Sequence, residues 1–111
     1  ISCYNYYMMK RKTRTDRNHA IYVITNTVTA EQYVGVTVCS GNVKKALKVR
    51  MQKHVRRALT ENKDWALCKS IRAHGVNAFT YGLVETLRGK APAHAREREL
   101  TKAYNPTLNT L

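Results

Sequence analysis

The segment AIYVITNTVTAEQYVGV, residues 20–36, contains two short runs of β-branched and aromatic residues on either side of a polar stretch, Thr25–Glu31. Such runs favour strands, and the short polar connection favours a β-hairpin. Tyr22 and Tyr33 lie in the middle of the facing runs, so antiparallel pairing is expected to bring both phenols to one region of the sheet. Gly35 is expected to let another backbone or a ligand approach closely.

The composition limits the class of protein. A chain of 111 residues suits one domain with a modest hydrophobic core. Its 20 Lys and Arg residues against 7 Asp and Glu residues give a formal charge of +13, for which nucleic acid is the default partner. No apolar run approaches the roughly 20 residues of a membrane-spanning helix, and no signal-peptide pattern is present. We therefore expect an intracellular protein with no membrane partner.

The three cysteines, Cys3, Cys39 and Cys68, are odd in number and widely spaced. This pattern indicates neither a disulfide framework nor a zinc site. Free, buried thiols are expected instead.

Residues 1–18 differ from the rest of the chain in combining three tyrosines with a run of basic residues. We predict a flexible arm that precedes the folded domain at residues 19–111. A solvated terminus without a role is the alternative, and phosphate contact is the functional hypothesis. The basic residues of the arm are Lys10, Arg11, Lys12, Arg14 and Arg17.

A helix is predicted over Val43–Thr60, because its apolar positions recur with the 3.6-residue period and share one face: Leu47, Met51 and Ala58. Arg50 and His54 fall in the same apolar sector. An unpaired guanidinium is costly to bury, so this placement needs a reason. The structural alternative is an Arg that extends to solvent beside a hydrogen-bonded core His.

The remaining pattern predicts a helix over Lys63–His74, a half-buried strand over Phe79–Val84, and a helix from about Ala91 to the residue before Asn105. Pro92 is tolerated in the first turn of this last helix. Together with the hairpin, these elements predict an α+β domain with three strands and about three helices.

Glu97 is predicted to point inward on the last helix, whereas Glu99 points nearly opposite, among basic neighbours. An inward carboxylate in a basic protein that binds phosphate suits a hard divalent cation, because Mg²⁺ prefers oxygen ligands and often takes only one or two from protein. An ordinary helix contact, with His94 or a nearby Arg, is the alternative for Glu97.

These residues resemble the GIY-YIG nucleases. Ala20-Ile21-Tyr22 followed by Tyr33-Val34-Gly35 is similar to the two-part signature of that family, with Ala for the first Gly and Val for the second Ile. The segment Arg50–His54 resembles the family's Arg and His on the first helix. Leu67–Val84 resembles its second helix and third strand.

The resemblance continues from Glu97 to Asn109, which is similar to the family's metal-binding Glu helix and its closing Pro-x-x-Asn. It covers residues 19–111 and is nearest to the catalytic domains of phage intron homing endonucleases. It implies a small central three-stranded antiparallel sheet flanked by helices. It also implies hydrolysis of a phosphodiester in double-stranded DNA with one Mg²⁺ or Mn²⁺ ion, and no small-molecule cofactor.

By the same resemblance, Tyr22 is the general base, Tyr33 binds the phosphate or assists that base, and Arg50 stabilises the transition state. His54 supports the phosphate or the Tyr22 proton. Glu97 holds the metal, and Asn109 orders the Glu97 end of the site. A planar, permanently charged Arg suits phosphate oxygens, whereas a phenol of pKa about 10 is a poor base without help from nearby positive charge.

A nuclease of this kind is expected to act as a monomer or weak oligomer, in the host cytoplasm if a phage encodes it. Beyond the arm, further contacts with DNA are expected from basic residues on the first helix: Lys44, Lys45, Lys53 and Arg57.

One departure from the family is the longer segment between Tyr33 and Arg50. Val38–Lys45 is either an inserted loop that contacts DNA or the source of a lysine that shares the role of Arg50.

Two other classes of protein remain open. A non-catalytic DNA- or RNA-binding module explains the charge but gives no reason for an inward Glu97 beside Arg50 and His54, and a basic ribosome-associated protein explains the charge alone.

Overall fold

Three strands and three α-helices follow one another in a computed structural model that describes residues 17–39 and 41–109. In chain order they are β1 (Asn18–Asn26), β2 (Gln32–Val38), α1 (Val43–Leu59), α2 (Ala66–His74), β3 (Phe79–Arg88) and α3 (Lys90–Tyr104). A short 3₁₀ turn, Val76–Ala78, connects α2 to β3. The predicted α+β class is confirmed.

The sheet has the order β2-β1-β3, and both pairings are antiparallel. The predicted hairpin of β1 and β2 is therefore confirmed, with Tyr22 directly opposite Gly35. On the other side of β1, Tyr22 faces Leu83, and the β1–β3 register shifts between Ile21 and Tyr22. This irregularity lies immediately beside the residue on which the site hypothesis depends.

The hairpin connection is held by Asn26, which is fully buried. Its Oδ1 accepts hydrogen bonds from the backbone N–H groups of Val28 and Thr29, at 2.9 and 3.3 Å. Its Nδ2 donates to Oγ of Ser70 at 2.9 Å, which ties the turn to α2. Such a side chain supplies the backbone partners that a turn lacks.

Side chains of β1 alternate between the two faces of the sheet, and both faces are covered. Ala20, Tyr22 and Ile24 belong to a core shared with α1 and α2. Ile21 packs with Val34 and with Leu100 of α3 in a second, smaller core. Because β1 is central and buried on both sides, its register cannot change without moving the residues of both cores.

The helix α1 begins where Oδ1 of Asn42 accepts a hydrogen bond from the N–H of Lys45 at 3.2 Å. Its buried positions are Leu47, Met51, His54 and Ala58. The predicted apolar sector, with His54 inside it, is confirmed. Arg50 lies at the edge of this sector and is half-buried.

Two predicted boundaries are wrong. The helix α2 begins at Ala66 and not at Lys63, because the N–H of Lys63 donates to the carbonyl of Arg57 and belongs to the turn after α1. β3 continues beyond Val84 to Arg88, because the first residues of β1 pair with its end. The predicted last helix is confirmed to within one residue at its start, and Asn105 ends it in a left-handed conformation with φ 49°.

The predicted arm lies mostly outside the described residues, including its basic side chains Lys10, Arg11, Lys12 and Arg14. Its last two residues are described. Asn18 is the first residue of β1, and the carbonyl of Arg17 accepts hydrogen bonds from the N–H of Gly89 and from Nδ1 of His19. Arg17 and Asn18 therefore take part in the hydrogen bonding of the described fold.

Cys39 and Cys68 are buried and free, as predicted, whereas Cys3 lies outside the described residues. Within residues 17–39 and 41–109, no helix combines the length and apolar character needed to cross a membrane.

Gly35 is the position where the sheet admits no side chain. A Cβ atom at Gly35 would lie 2.6 Å from both Cζ and the hydroxyl oxygen of Tyr22, and 2.8 Å from Cε1 of Tyr33. We expect Gly35→Ala to lower the free energy of unfolding by about 1–3 kcal/mol, because the ring of Tyr22 must move within a packed core.

Gly82→Ala is the matched control, because a Cβ at Gly82 on β3 would meet nothing within 4 Å. Urea denaturation of both variants measures the difference. Equal stability of the two variants would contradict the close packing of Tyr22 on Gly35.

Candidate active site

Tyr22, Tyr33 and His54 form an aromatic cluster between β1, β2 and α1. The ring centroids of Tyr22 lie 6.2 Å from Tyr33 and 6.1 Å from His54, and Tyr33 and His54 are 5.1 Å apart. The hydroxyl of Tyr22 lies 2.9 Å from Nε2 of His54, a buried hydrogen bond between residues distant in sequence. The structure therefore brings together the two phenols and the imidazole that the sequence selected.

The Tyr22 and His54 side chains are both neutral in the folded protein at neutral pH. Burial strongly raises the pKa of Tyr22, the Tyr33 phenol and the Glu97 charge act in the same direction, and Arg50 opposes them. Burial, with Arg50 and Arg57, lowers the pKa of His54 to about 4. Two neutral forms satisfy this hydrogen bond: the phenol donates to an unprotonated Nε2, or an Nε2–H donates to the phenol oxygen.

Nδ1 of His54 is buried and has no hydrogen-bond partner within the described part of the chain. A buried polar atom without a partner costs about 1–3 kcal/mol. Orphaned polar groups of this kind are rare in structural cores and are more common where the geometry serves a site.

Arg50 extends from α1 to the end of β2, where its Nη2 donates to Oγ1 of Thr37 at 3.2 Å. Its charge opposes the raised pKa values of Tyr22 and Tyr33 and lowers the pKa of His54. Arg50 is therefore within electrostatic reach of the whole cluster. The sequence analysis missed Thr37, although the two-residue period of β2 places Gly35 and Thr37 on the same face.

Glu97 lies on the side of α3 that faces the sheet, between the buried residues Ala93 and Leu100. Burial is the main cause of the raised pKa values of Tyr22 and Tyr33, and the Glu97 charge adds to it, although α3 packs on the opposite face of the sheet from Tyr22. The described hydrogen bond of its carboxylate is with Nδ1 of His94 at 3.3 Å, which was the structural alternative for this residue.

The helix places Glu99 as predicted. Its carboxylate is exposed and pairs with Arg96 at 2.9 Å, and Arg96 also binds Glu85. The side chain of Glu97 is 24% exposed and that of Glu99 is 66% exposed. The two acids of this helix therefore occupy different surroundings.

Asn109 binds β2 through both atoms of its amide. Its Oδ1 accepts from the N–H of Val34 and its Nδ2 donates to the carbonyl of Val34, each at 2.9 Å. The N–H of Leu108 also donates to the carbonyl of Gln32. Asn109 therefore holds the edge strand between Tyr33 and Gly35, whereas the sequence analysis expected it to order the Glu97 end of the site.

A divalent ion is compatible with the acid that is present. Within residues 17–39 and 41–109, no group of three or more His, Cys, Asp or Glu side chains is placed to bind a metal. Mg²⁺ often needs only one or two protein carboxylates and completes its shell with water and phosphate oxygens. Glu97 is a partly accessible carboxylate, but it lines a pocket with Arg98, Thr101, Lys102 and Asn105, separate from the pocket of Tyr33 and His54.

The predicted basic residues of α1 separate into groups. Lys45 and Lys53 line a cleft of about 580 Å³ together with Arg50. Arg57 lines a smaller pocket of about 260 Å³ with Tyr33, His54 and Asn109. Lys44 lies outside both and is exposed.

The smaller pocket also contains Trp65, which the sequence analysis missed. Its ring lies 5.5 Å from the guanidinium carbon of Arg57 and 5.6 Å from Nζ of Lys63. Trp65 is 41% exposed, which is unusual for so large an apolar side chain. This exposure, which marks Trp65 as a candidate site residue, is visible only in the structure.

Comparisons with protein-family models, with curated proteins and with solved structures gave no match to this chain.

The neutral state of His54 makes the stability of the fold depend on pH. Because its pKa is about 4 in the folded protein against 6.5 for an unperturbed His, the unfolded chain binds more protons between these values. We expect the contribution of the neutral His54 to the free energy of unfolding to be complete above pH 6.5 and to be lost as the pH falls to about 4. The loss amounts to about 3 kcal/mol.

Urea denaturation of the parent and of His54→Gln at pH 7 and pH 4 measures this effect. The variant is less stable overall, but the drop on acidification is expected to shrink by about that amount. His74→Gln, at the exposed end of α2, is the control and is expected to keep the full drop. An equal drop in parent and His54→Gln would show that His54 is not held neutral.

Proposed function

We propose that this protein is a metal-dependent DNA endonuclease of the GIY-YIG type. The observation that carries the proposal is the buried hydrogen bond between the Tyr22 hydroxyl and Nε2 of His54. Burial is the main cause of the raised pKa of that phenol, and the charges of Arg50 and Glu97 act on it as well. A phenol, an imidazole, a guanidinium and a carboxylate from three separate elements, β1, α1 and α3, serve no common packing purpose. They suit phosphodiester hydrolysis.

The hydrogen bond suggests a path for the proton of the attacking water. As the water attacks phosphorus, its proton passes to the oxygen of Tyr22 while the phenolic proton passes to Nε2 of His54. His54 then becomes an imidazolium and Tyr22 remains a neutral phenol. This transfer avoids a free phenolate, which burial of Tyr22 strongly disfavours.

Arg50 and Tyr33 act on the phosphate in this proposal. The guanidinium of Arg50 stabilises the charge that develops on the phosphate oxygens, and the Thr37 hydroxyl fixes the direction of its side chain. Tyr33, held in place by the bond of Asn109 to the adjacent Val34, orients the phosphate through its hydroxyl. Both groups are in place before substrate binds, as electrostatic catalysis requires.

Glu97 would hold one Mg²⁺ or Mn²⁺ ion. When bound, such an ion supplies positive charge that offsets the charge developing on the phosphate. The hydrogen bond from Nδ1 of His94 fixes one oxygen of the carboxylate, in the manner of partners that orient metal ligands. The other oxygen remains for the ion.

A non-catalytic DNA- or RNA-binding module is the second candidate, and the charge of +13 together with the basic cleft favours it. Such a module has no use for a buried Tyr22–His54 pair whose Nδ1 lacks a partner. The nuclease proposal includes double-stranded DNA as the partner and a location inside the cell.

Glu97→Gln tests the metal assignment. We expect it to reduce Mg²⁺-dependent nicking of a supercoiled plasmid by about 100-fold or more, because an amide is a poor ligand for a hard cation. DNA binding is expected to be at least as strong as in the parent, since a negative charge is removed. Glu99→Gln, on the same helix but paired with Arg96, is expected to cut at close to the parent rate. Parent-like cutting by Glu97→Gln would contradict the assignment.

Tyr22→Phe tests the base. It keeps the ring that packs on Gly35 and removes only the hydroxyl that binds His54. We expect a loss of about 10²–10⁴-fold in the single-turnover cleavage rate, as for removal of a general base. Tyr81→Phe, an exposed tyrosine on β3, is the control. A rate within a few-fold of the parent for Tyr22→Phe would exclude the proposed proton path.

A further inference from the structure

A large cleft lies beside the aromatic cluster, not within it. It has a volume of about 580 Å³ and is formed by the end of β2, the first turns of α1 and the start of α3. Most of its lining residues belong to the long segment between Tyr33 and Arg50, which forms β2 and the first turns of α1 with only residues 39–42 between them. Tyr22, Tyr33, His54 and Glu97 are not among its lining residues.

Positive charge converges on this cleft. Its lining includes four cations and two imidazoles, and none of the lining residues carries a carboxylate: Lys45, Arg50, Lys53, Lys90, His19 and His94. The rings of His19 and His94 pack edge to face with centroids 6.5 Å apart and form one wall. A cleft with one sign of charge concentrates the field and attracts a counter-ion.

The lysines of the cleft are also left unpaired. Elsewhere in the described residues, acids neutralise basic neighbours, as Glu61 does for Arg56 and Asp64 for Lys69. Lys45, Lys53 and Lys90 have no ion pair within residues 17–39 and 41–109. Cations that face one another without a carboxylate repel, so an anion in the cleft would stabilise the arrangement.

Arg50 connects the two regions, because it lines the cleft and its charge also acts on Tyr22, Tyr33 and His54. We infer that the cleft binds a second, non-scissile phosphate of the DNA strand, next to the phosphate at the tyrosines. Lys53 and Lys90 contact this phosphate from opposite walls. The inference rests on the proposed function in taking DNA as the substrate and the tyrosines as the place of the scissile phosphate, whereas phosphate binding by the cleft itself does not require cleavage.

The salt dependence of DNA binding tests the inference without any cleavage. Lys53→Gln and Lys90→Gln remove one cleft cation each, and Lys48→Gln and Lys102→Gln are matched controls on the same two helices but outside the cleft. All four lysines are exposed, so the variants are expected to fold. Affinity for a short duplex is measured without divalent ion between about 50 and 200 mM salt.

Each cleft substitution is expected to reduce the slope of log K against log salt by about 1, and each control by clearly less. A second readout uses duplexes in which one phosphate at a time is replaced by a neutral methylphosphonate. The parent is expected to lose affinity at a position other than the scissile one, and the double variant Lys53→Gln/Lys90→Gln to lose nothing further there. The double control is expected to show the parent's loss at that position.

Cleft variants that match their controls in both measurements would overturn the inference. If the parent fails to nick DNA yet the slopes differ as expected, the nuclease proposal fails and the phosphate site stands. If the parent nicks DNA and the slopes do not differ, only the phosphate site fails. A parent that does not bind the duplex at all would overturn both.

Discussion

The contact of the Tyr22 side chain with Gly35 and His54 is the constraint on which the rest of the site depends. The ring lies across β2 only because Gly35 has no Cβ, and its hydroxyl is then 2.9 Å from Nε2 of His54 on α1. Tyr22 belongs to the central strand, which is buried on both faces. A register slip of one residue would move its ring to the α3 face, so the pairing of the sheet fixes the position of the phenol. Asn109 holds the other edge of β2 at Val34.

Burial decides the protonation of the cluster in a strongly basic protein. The low-dielectric surroundings keep Tyr22 a phenol and, with two nearby arginines, keep His54 a neutral imidazole. In the proposed proton path the positive charge forms on His54, against the burial that lowers its pKa. Nδ1 of His54 is buried without a hydrogen-bond partner among the described residues.

The site spans the edge strand of the sheet. The phenols and His54 lie on the face covered by α1 and α2, whereas Glu97 belongs to the helix on the other face and influences the phenols from there. Arg50 lies at the end of β2, between the aromatic cluster and the basic cleft. Arg50, the pair Tyr33 and His54, and Glu97 each line a different pocket, so the proposed nuclease site requires one DNA strand to contact all three.

The sequence by itself determined the elements and the direction of their side chains, since these follow from local periodicity. The residue pattern predicted the hairpin, the burial of His54 on α1 and the opposite directions of Glu97 and Glu99, and the structure confirms all three. Tertiary structure decided contacts between distant residues: Asn109 with Val34, Arg50 with Thr37, Asn26 with Ser70, and the cleft formed by Lys45, Lys53 and Lys90. The observed ends of α2 and β3 also differ from the predicted ends, because they depend on hydrogen bonds from other elements. How helices dock on a sheet depends on packing across the whole core, and no local pattern contains that information.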